Sequence, residues 1–257
     1  MLPTSKDEPR STRDDPLDQH GSNRRPRAAD LLRPAFRRAL WSTYDHIGLL
    51  VLANLLWVAL CLPVVTAPAA TAGLFHLAHR IALGKEVSLR DFFAGFRKHF
   101  LPALKLGLVD LAALLVLWIN IDFYSHLRGG ATIPGMILAA AMIWVAAFFW
   151  LMHVHLYALL VSGETSLRQL IRKSALLTLD NLLFTIGIAF QALSLSVLCT
   201  ITGAGLVLIN ASLVAVLLVS GHHEVRRRYH SWEPAPDAET RTLRDLWRPW
   251  ESGGPRK

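Results

Sequence analysis

The chain has 257 residues, 53% apolar and only 18% charged, with a formal net charge of +8, a mean hydropathy of +0.35 and a pI near 10.0. Soluble domains run to about 45–50% apolar and about 25% charged residues, so this balance excludes a disordered, collagenous or disulfide-stapled chain and points towards lipid. No Asp, Glu, Lys or Arg occurs in 46–79, 129–163 or 181–223, runs of 34, 35 and 43 residues, and a membrane span takes about 20 apolar residues. The expected class is an all-α polytopic membrane bundle of about six transmembrane helices.

Residues 1–30 mix charge and proline and lack the apolar run of a cleavable signal peptide, so they read as a disordered cytoplasmic tail. A membrane domain over 31–222 follows. It opens on an amphipathic helix, with Leu32, Phe36, Ala39 and Thr43 on one face, Arg33, Arg37 and Arg38 on another, and Trp41 and Tyr44 near its end. Such a helix belongs at the cytoplasmic interface. The first uncharged run carries Pro63 and Pro68 at its centre and divides into spans 47–63 and 67–83. Residues 84–100 form a charged aromatic connector, and 102–121 a third span with Asp110 in its interior. A polar loop at 121–132, a long fourth span at 133–161, and a basic connector at 162–174 with Ser162 and Thr165 as N-caps come next. Thr202, Gly203, Ala204 and Gly205 split the last run into spans 175–201 and 204–222. The tail 223–257 is proline-rich and polar, with a short helix at 239–250.

Six spans place both ends on one side. Of the 27 Lys and Arg, 26 fall in the two tails, the amphipathic helix and the 80–105 and 168–173 connectors, leaving Arg128 alone on the opposite face. Positive charge stays inside, so both termini are expected in the cytoplasm of a bacterial inner-membrane protein. Cys61 and Cys199 lie within apolar runs and read as small core residues rather than a disulfide or a zinc site.

Asn54 and Trp57, followed by Leu62, Pro63, Val64, Val65 and Thr66, then Pro68, Ala69, Thr71 and Ala72, resemble the opening signature of the YesL-like family of bacterial integral membrane proteins, domain of unknown function 624. Asp91, Phe92 and Phe93 with Phe96, Arg97, Lys98 and Phe100 resemble that family's aromatic and basic cytoplasmic loop, and Lys173 to Asn181 its later basic-to-apolar transition. Where the family usually has Gly before the second Pro of the turn, this chain has Ala67. The resemblance covers roughly 35–222. It implies a multi-span protein with no established reaction, often encoded beside carbohydrate uptake and degradation systems.

Few polar residues lie inside the spans. The turn from Leu62 to Pro68 fits a structural hairpin best, with a re-entrant element lining a substrate path as the alternative. A carboxylate at Asp110 costs about 2.5–3.5 kcal/mol at the centre of a span, so it must meet a partner. Asp110 and His153 both lie about 12–14 Å from the cytoplasmic ends of their spans, which makes them a pair, with Asn54 and Asp180 as competing partners. Asp180 and Asn181 at the start of span five read as snorkelling or packing residues. Asn54, Asp110, His153, Asp180 and Asn181 are the candidate intramembrane polar cluster.

The remaining histidines point to no metal. His153 and His155 face nearly opposite ways on a helix, and His76 and His79, at i and i+3, have Arg80 beside them and read as interfacial. His222, His223 and Glu224 with Arg226 to Arg228 read as a helix end meeting anionic headgroups. No phosphate loop, HExxH, GxSxG or CxxC motif occurs. The expectation is therefore no enzyme, no cofactor and no nucleic acid. What remains is a lipid-embedded accessory or assembly partner of another membrane protein or transporter, with a small-solute transporter lined by Asn54, Asp110, His153, Asp180 and Gln191 as the alternative.

Overall fold

The computed structural model describes residues 28–125, 133–163 and 166–229, and among them there are helices and no strand. The tails at 1–27 and 230–257, with the short helix expected at 239–250, lie outside the described residues, as do Arg128 and Thr165.

Helix α1 (Ala28–Asp45) meets α2 (Ile47–Cys61) at a bend of 90° at His46. The buried face of α1 is Leu31, Ala35, Arg38, Ala39 and Thr43, while Phe36 is exposed. This corrects the expected face by about one position. Glu224, 3% exposed on the last helix, turns Arg38 inward, with Nη1 to Oε1 at 2.7 Å. A buried carboxylate needs such a partner.

A 3-10 turn, Val64–Thr66, joins α2 to α3 (Ala67–Ala82). Thr66 Oγ1 donates to the carbonyls of Leu60 and Pro63, occupying acceptors that the end of α2 leaves open. Trp57 Nε1 donates to Thr71 Oγ1 at 3.1 Å and ties the two helices across the turn. Ala67 sits at φ −55, ψ −45, ordinary helical geometry, so the turn makes no demand for Gly there. Pro68 stands in the first turn of α3, where its missing N–H has no helical partner to lose.

The connector and third span expected at 84–100 and 102–121 are one helix, α4 (Leu89–Ser125), running through Pro102 and into the loop expected at 121–132. Its first half packs antiparallel on α3. A Cβ on Gly95 would run into the His76 side chain, and one on Gly107 into the Pro68 ring, so both positions need glycine for the helices to approach. That contact holds the helix together across a proline that would otherwise weaken it. Helix α5 (Ile133–Val161) matches the expected fourth span.

The expected fifth span, 175–201, is divided. Helix α6 (Leu167–Asp180), N-capped at Ser166, buries Leu170, Ser174 and Thr178 on one face and exposes Arg168, Arg172 and Lys173. Asn181 leaves helical geometry at φ −123, ψ 40, and α7 (Leu182–Ile201) follows. An amide that can bond the local backbone competes with the helix, and Asn181 Nδ2 lies 3.4 Å from Leu177 O. Gly203 at φ +64 makes the expected break before a short α8 (Ala204–Leu208). The last helix, α9 (Asn210–Tyr229), starts later than the expected span 204–222 and runs past it. Consequently His222, His223 and Glu224 are buried core residues and not a headgroup-facing end, a second correction; Arg226 is exposed.

The main core joins Leu31 and Ala35 of α1, Leu74, Leu77 and Ile81 of α3, Phe184 and Ile188 of α7, and Ala215 to Val219 of α9. Helices α4, α5 and α7 are long and apolar enough to cross a membrane, and the bent α1–α2 pair would add a fourth if it formed one span. Among the described residues three or four spans thus meet that test of length and composition, which does not confirm the six expected. Helices α2 and α3, of 15 and 16 residues, extend only about 22–24 Å, short of a hydrocarbon core of about 30 Å.

Candidate functional site

Asp110 on α4 and His153 on α5 meet. His153 Nε2 lies 3.2 Å from Asp110 Oδ2, and the second ring nitrogen, Nδ1, is 2.9 Å from Phe149 O. With Nδ1 donating to that carbonyl, Nε2 and Asp110 Oδ2 hold one proton between them, as an imidazolium–carboxylate pair or as a neutral imidazole accepting from the carboxylic acid. The pair clamps α4 to α5 and gives the half-buried Asp110 carboxyl a partner.

The other candidates bond elsewhere. Asn54, fully buried on α2, donates from Nδ2 to Val207 O at 2.6 Å and accepts the Ser212 N–H on Oδ1 at 3.0 Å. Ser212 Oγ donates to Leu50 O at 2.8 Å. Asn54 therefore closes the break between α8 and α9, where the chain leaves backbone groups without helical partners. Asn181 is buried at the α6–α7 break, and its carbonyl accepts Thr185 Oγ1 at 3.0 Å. Asp180 ends α6 in an exposed position. Gln191 keeps a buried Oε1 on α7 that has no protein partner. These residues serve separate junctions, and the single cluster expected from sequence is not how their hydrogen bonds run.

Of the family-motif residues, Pro63, Thr66 and Pro68 shape the α2–α3 turn. Phe92 is wholly buried and its carbonyl lies against Gly73 of α3, whereas Phe93 is exposed and Arg97 points outward. Phe96 also packs beside Gly73, with its ring 5.5 Å from that of Phe100. The aromatic connector is therefore half core and half surface.

A cleft of about 240 Å³ opens between α5, α7 and α9, lined by Trp150, His153, Ala189, Ser196, Val214 and Leu218 among others. Ser196 shares it with His153, but both nitrogens of that ring are already engaged, so the histidine is not free to act as a base on the hydroxyl. The cleft is almost entirely apolar, suited to a hydrocarbon chain.

A second group is nearly invisible along the chain. His76 and His79 on α3, His99 on α4, His155 on α5, and His222 and His223 on α9 converge inside the bundle. His79 and His223 rings stack with centres 5.0 Å apart, and Nδ1 of one is 3.2 Å from Nε2 of the other. His155 Nε2 bonds Thr185 Oγ1 at 3.1 Å. Their separation of up to 147 residues along the chain hides this group; the available signal was that five of the six, all but His99, fall within uncharged runs. Among the described residues no group of three or more His, Cys, Asp or Glu could hold a metal ion.

Residues 50–121 match the model of a family described as Protein of unknown function, DUF624. No curated protein and no solved structure matches the chain. The matched stretch runs from α2 to near the end of α4 and contains the turn, the α3–α4 seam and Asp110, but not the His153 that answers it. Over residues 50–121 the chain is similar to the DUF624 family, and that stretch contains the residues that build the α2–α3 turn and seat α4 on α3.

Proposed function

We propose that this membrane protein is a non-enzymatic accessory or assembly partner of a membrane system, one for carbohydrate uptake if the family resemblance extends to its setting. The observation that carries this reading is the outer α4–α5 arm. Beyond Leu106 on α4 and before Met152 on α5, the buried residues are Gly135 and Ala139 alone. Trp118, Ile137 and Trp144 stand 68%, 65% and 77% exposed. Two helices with apolar side chains turned outward on nearly all sides suit a surrounding of lipid and of another protein's membrane helices. The polar candidates support the same reading, because Asn54, Asp110 and His153 are engaged in clamps between helices and leave no shared path for a solute.

In this reading the protein is a multi-pass component of a bacterial inner membrane with both termini in the cytoplasm. The distribution of Lys and Arg supports that orientation, and exposed Arg33, Arg37, Arg97, Lys98, Arg168 and Arg172 would meet anionic headgroups. A photo-crosslinking residue at Trp118 or Trp144 in native membranes should capture one stable membrane partner. Flux of mono- or disaccharides into liposomes holding this chain alone would overturn the accessory role in favour of a transporter.

A further inference from the structure

The histidine group is continuous across four helices. From the end of the bundle where Arg80 pairs with Asp91 at 3.1 Å, the ring centres of His76 and His99 lie 5.6 Å apart. One turn along α3 from His76, His79 bonds His223. His223 is followed by His222 at 6.4 Å, and His222 by His155 at 5.8 Å. His155 ends the series on the Thr185 hydroxyl, which donates to Asn181 O.

Buried polar groups are ordinarily hydrogen-bonded. Here both ring nitrogens of His222, Nδ1 of His155, Nε2 of His99 and Nδ1 of His76 are buried without a protein partner. His222, His155 and His99 are 1%, 0% and 2% exposed. A neutral imidazole presents one donor and one acceptor, so its partner must both accept and donate. Water does this; a metal cation would take only lone pairs, and no three-donor group is present among the described residues. Neighbouring rings at 5–6.4 Å are close enough for direct contact or a single bridging water. Apolar packing alone would be met by Leu or Phe at these positions without the cost of leaving buried polar groups unpaired.

We propose that these six histidines form a proton relay leading from the charged α3–α4 end of the bundle into its interior at His155 and Thr185. A proton arriving on the free nitrogen of one ring makes an imidazolium. The N–H on the opposite nitrogen then passes its proton to the next imidazole or water, leaving its electron pair on that nitrogen. The ring is neutral again in the other tautomer, and one proton has advanced one ring; a later exchange through water restores the first tautomer. Nothing is oxidised or reduced. The charges in electrostatic range are Lys98 and Arg80 at the entrance, with Asp91 opposing them, Lys85 and Arg226 near His79, and Arg226 and Arg38 near His223, the last held by Glu224.

The test uses the full chain, labelled with ¹⁵N-histidine, in lipid nanodiscs, with exchange of ring N–H protons followed by NMR. His155 and His222 are expected to exchange with water, and His79→Phe should abolish exchange at both while leaving it intact at His99. The His153 signal, held by Asp110 and Phe149, reports that the fold is kept. His79→Asn keeps a donor and an acceptor without two-sided transfer, should give the same loss, and serves if the Phe variant does not fold. Exchange at His222 that is undisturbed by either variant, or no exchange at His155 and His222 in the unaltered chain, overturns the relay.

Discussion

In α3, ten of sixteen side chains are buried, whereas the arm formed by α4 beyond Leu106 and α5 before Met152 buries only Gly135 and Ala139. The residue types follow the surroundings. Helix α3 carries Ala69, Ala70, Ala72, Gly73 and Ala78, because protein packs on it from several sides and small residues let backbones approach. The arm carries Leu111, Trp118, Ile137, Ile143 and Trp144 outward, side chains that a bilayer dissolves as readily as a protein core does. The polar side chains divide the same way, with histidines and the Arg38–Glu224 pair inside the packed region and Asp110–His153 at the foot of the arm. Apolar content alone thus does not distinguish a helix that organises the protein from one that faces lipid; residue size does.

The packed region should be the fragile one. Glu224→Leu strands Arg38, 8% exposed, without its carboxylate. Breaking one side of a buried pair costs about 3–5 kcal/mol, and the double variant Arg38→Met with Glu224→Leu should recover most of it. Denaturant unfolding in detergent micelles, followed by helicity, measures both. If the single variant is as stable as the parent, the packed region is not the rigid half.

A glycine comparison sharpens the point. Gly95→Ala drives a methyl against His76 and should cost about 1–3 kcal/mol. Ala141→Leu, a larger addition on the exposed arm, should stay within about 0.5 kcal/mol. Equal effects in the same unfolding assay would erase the distinction between the two regions.

Where the regions meet, a double-mutant cycle on Asp110→Asn and His153→Leu should give a coupling of about 0.6–2 kcal/mol, the range for polar contacts between membrane helices. The smallest expected effect is that of Trp144→Ala, within about 0.5 kcal/mol on stability. Its consequence should be seen in partner capture instead: the yield of a cross-link placed at Trp118 should fall.

Much of this was legible in particular residues. The α2–α3 turn is announced by Pro63 and Pro68, the break before α8 by Gly203, and α5 by a run of uncharged residues that ends where the helix ends. Matching Asp110 with His153 needed only their similar distances from the ends of two helices. Elsewhere hydropathy misled. Residues 175–180 are as apolar as a span, yet Ser174 donates to Met152 O and holds this stretch in α6, against α5. Phe92 and Phe93 are adjacent and chemically identical, and one is core while the other is surface.

The amino-acid sequence by itself determined the class of this protein, its turns and the position of Asp110 along its helix, because each depends on local properties: hydrophobicity over a window, backbone freedom, and distance along a helix. Which way Arg38 points, which helices are enclosed by protein, and that six histidines drawn from four helices share one interior were decided only in the tertiary structure. These depend on what lies opposite a side chain, and residues as far apart in the chain as His79 and His223 become neighbours only when the helices have packed.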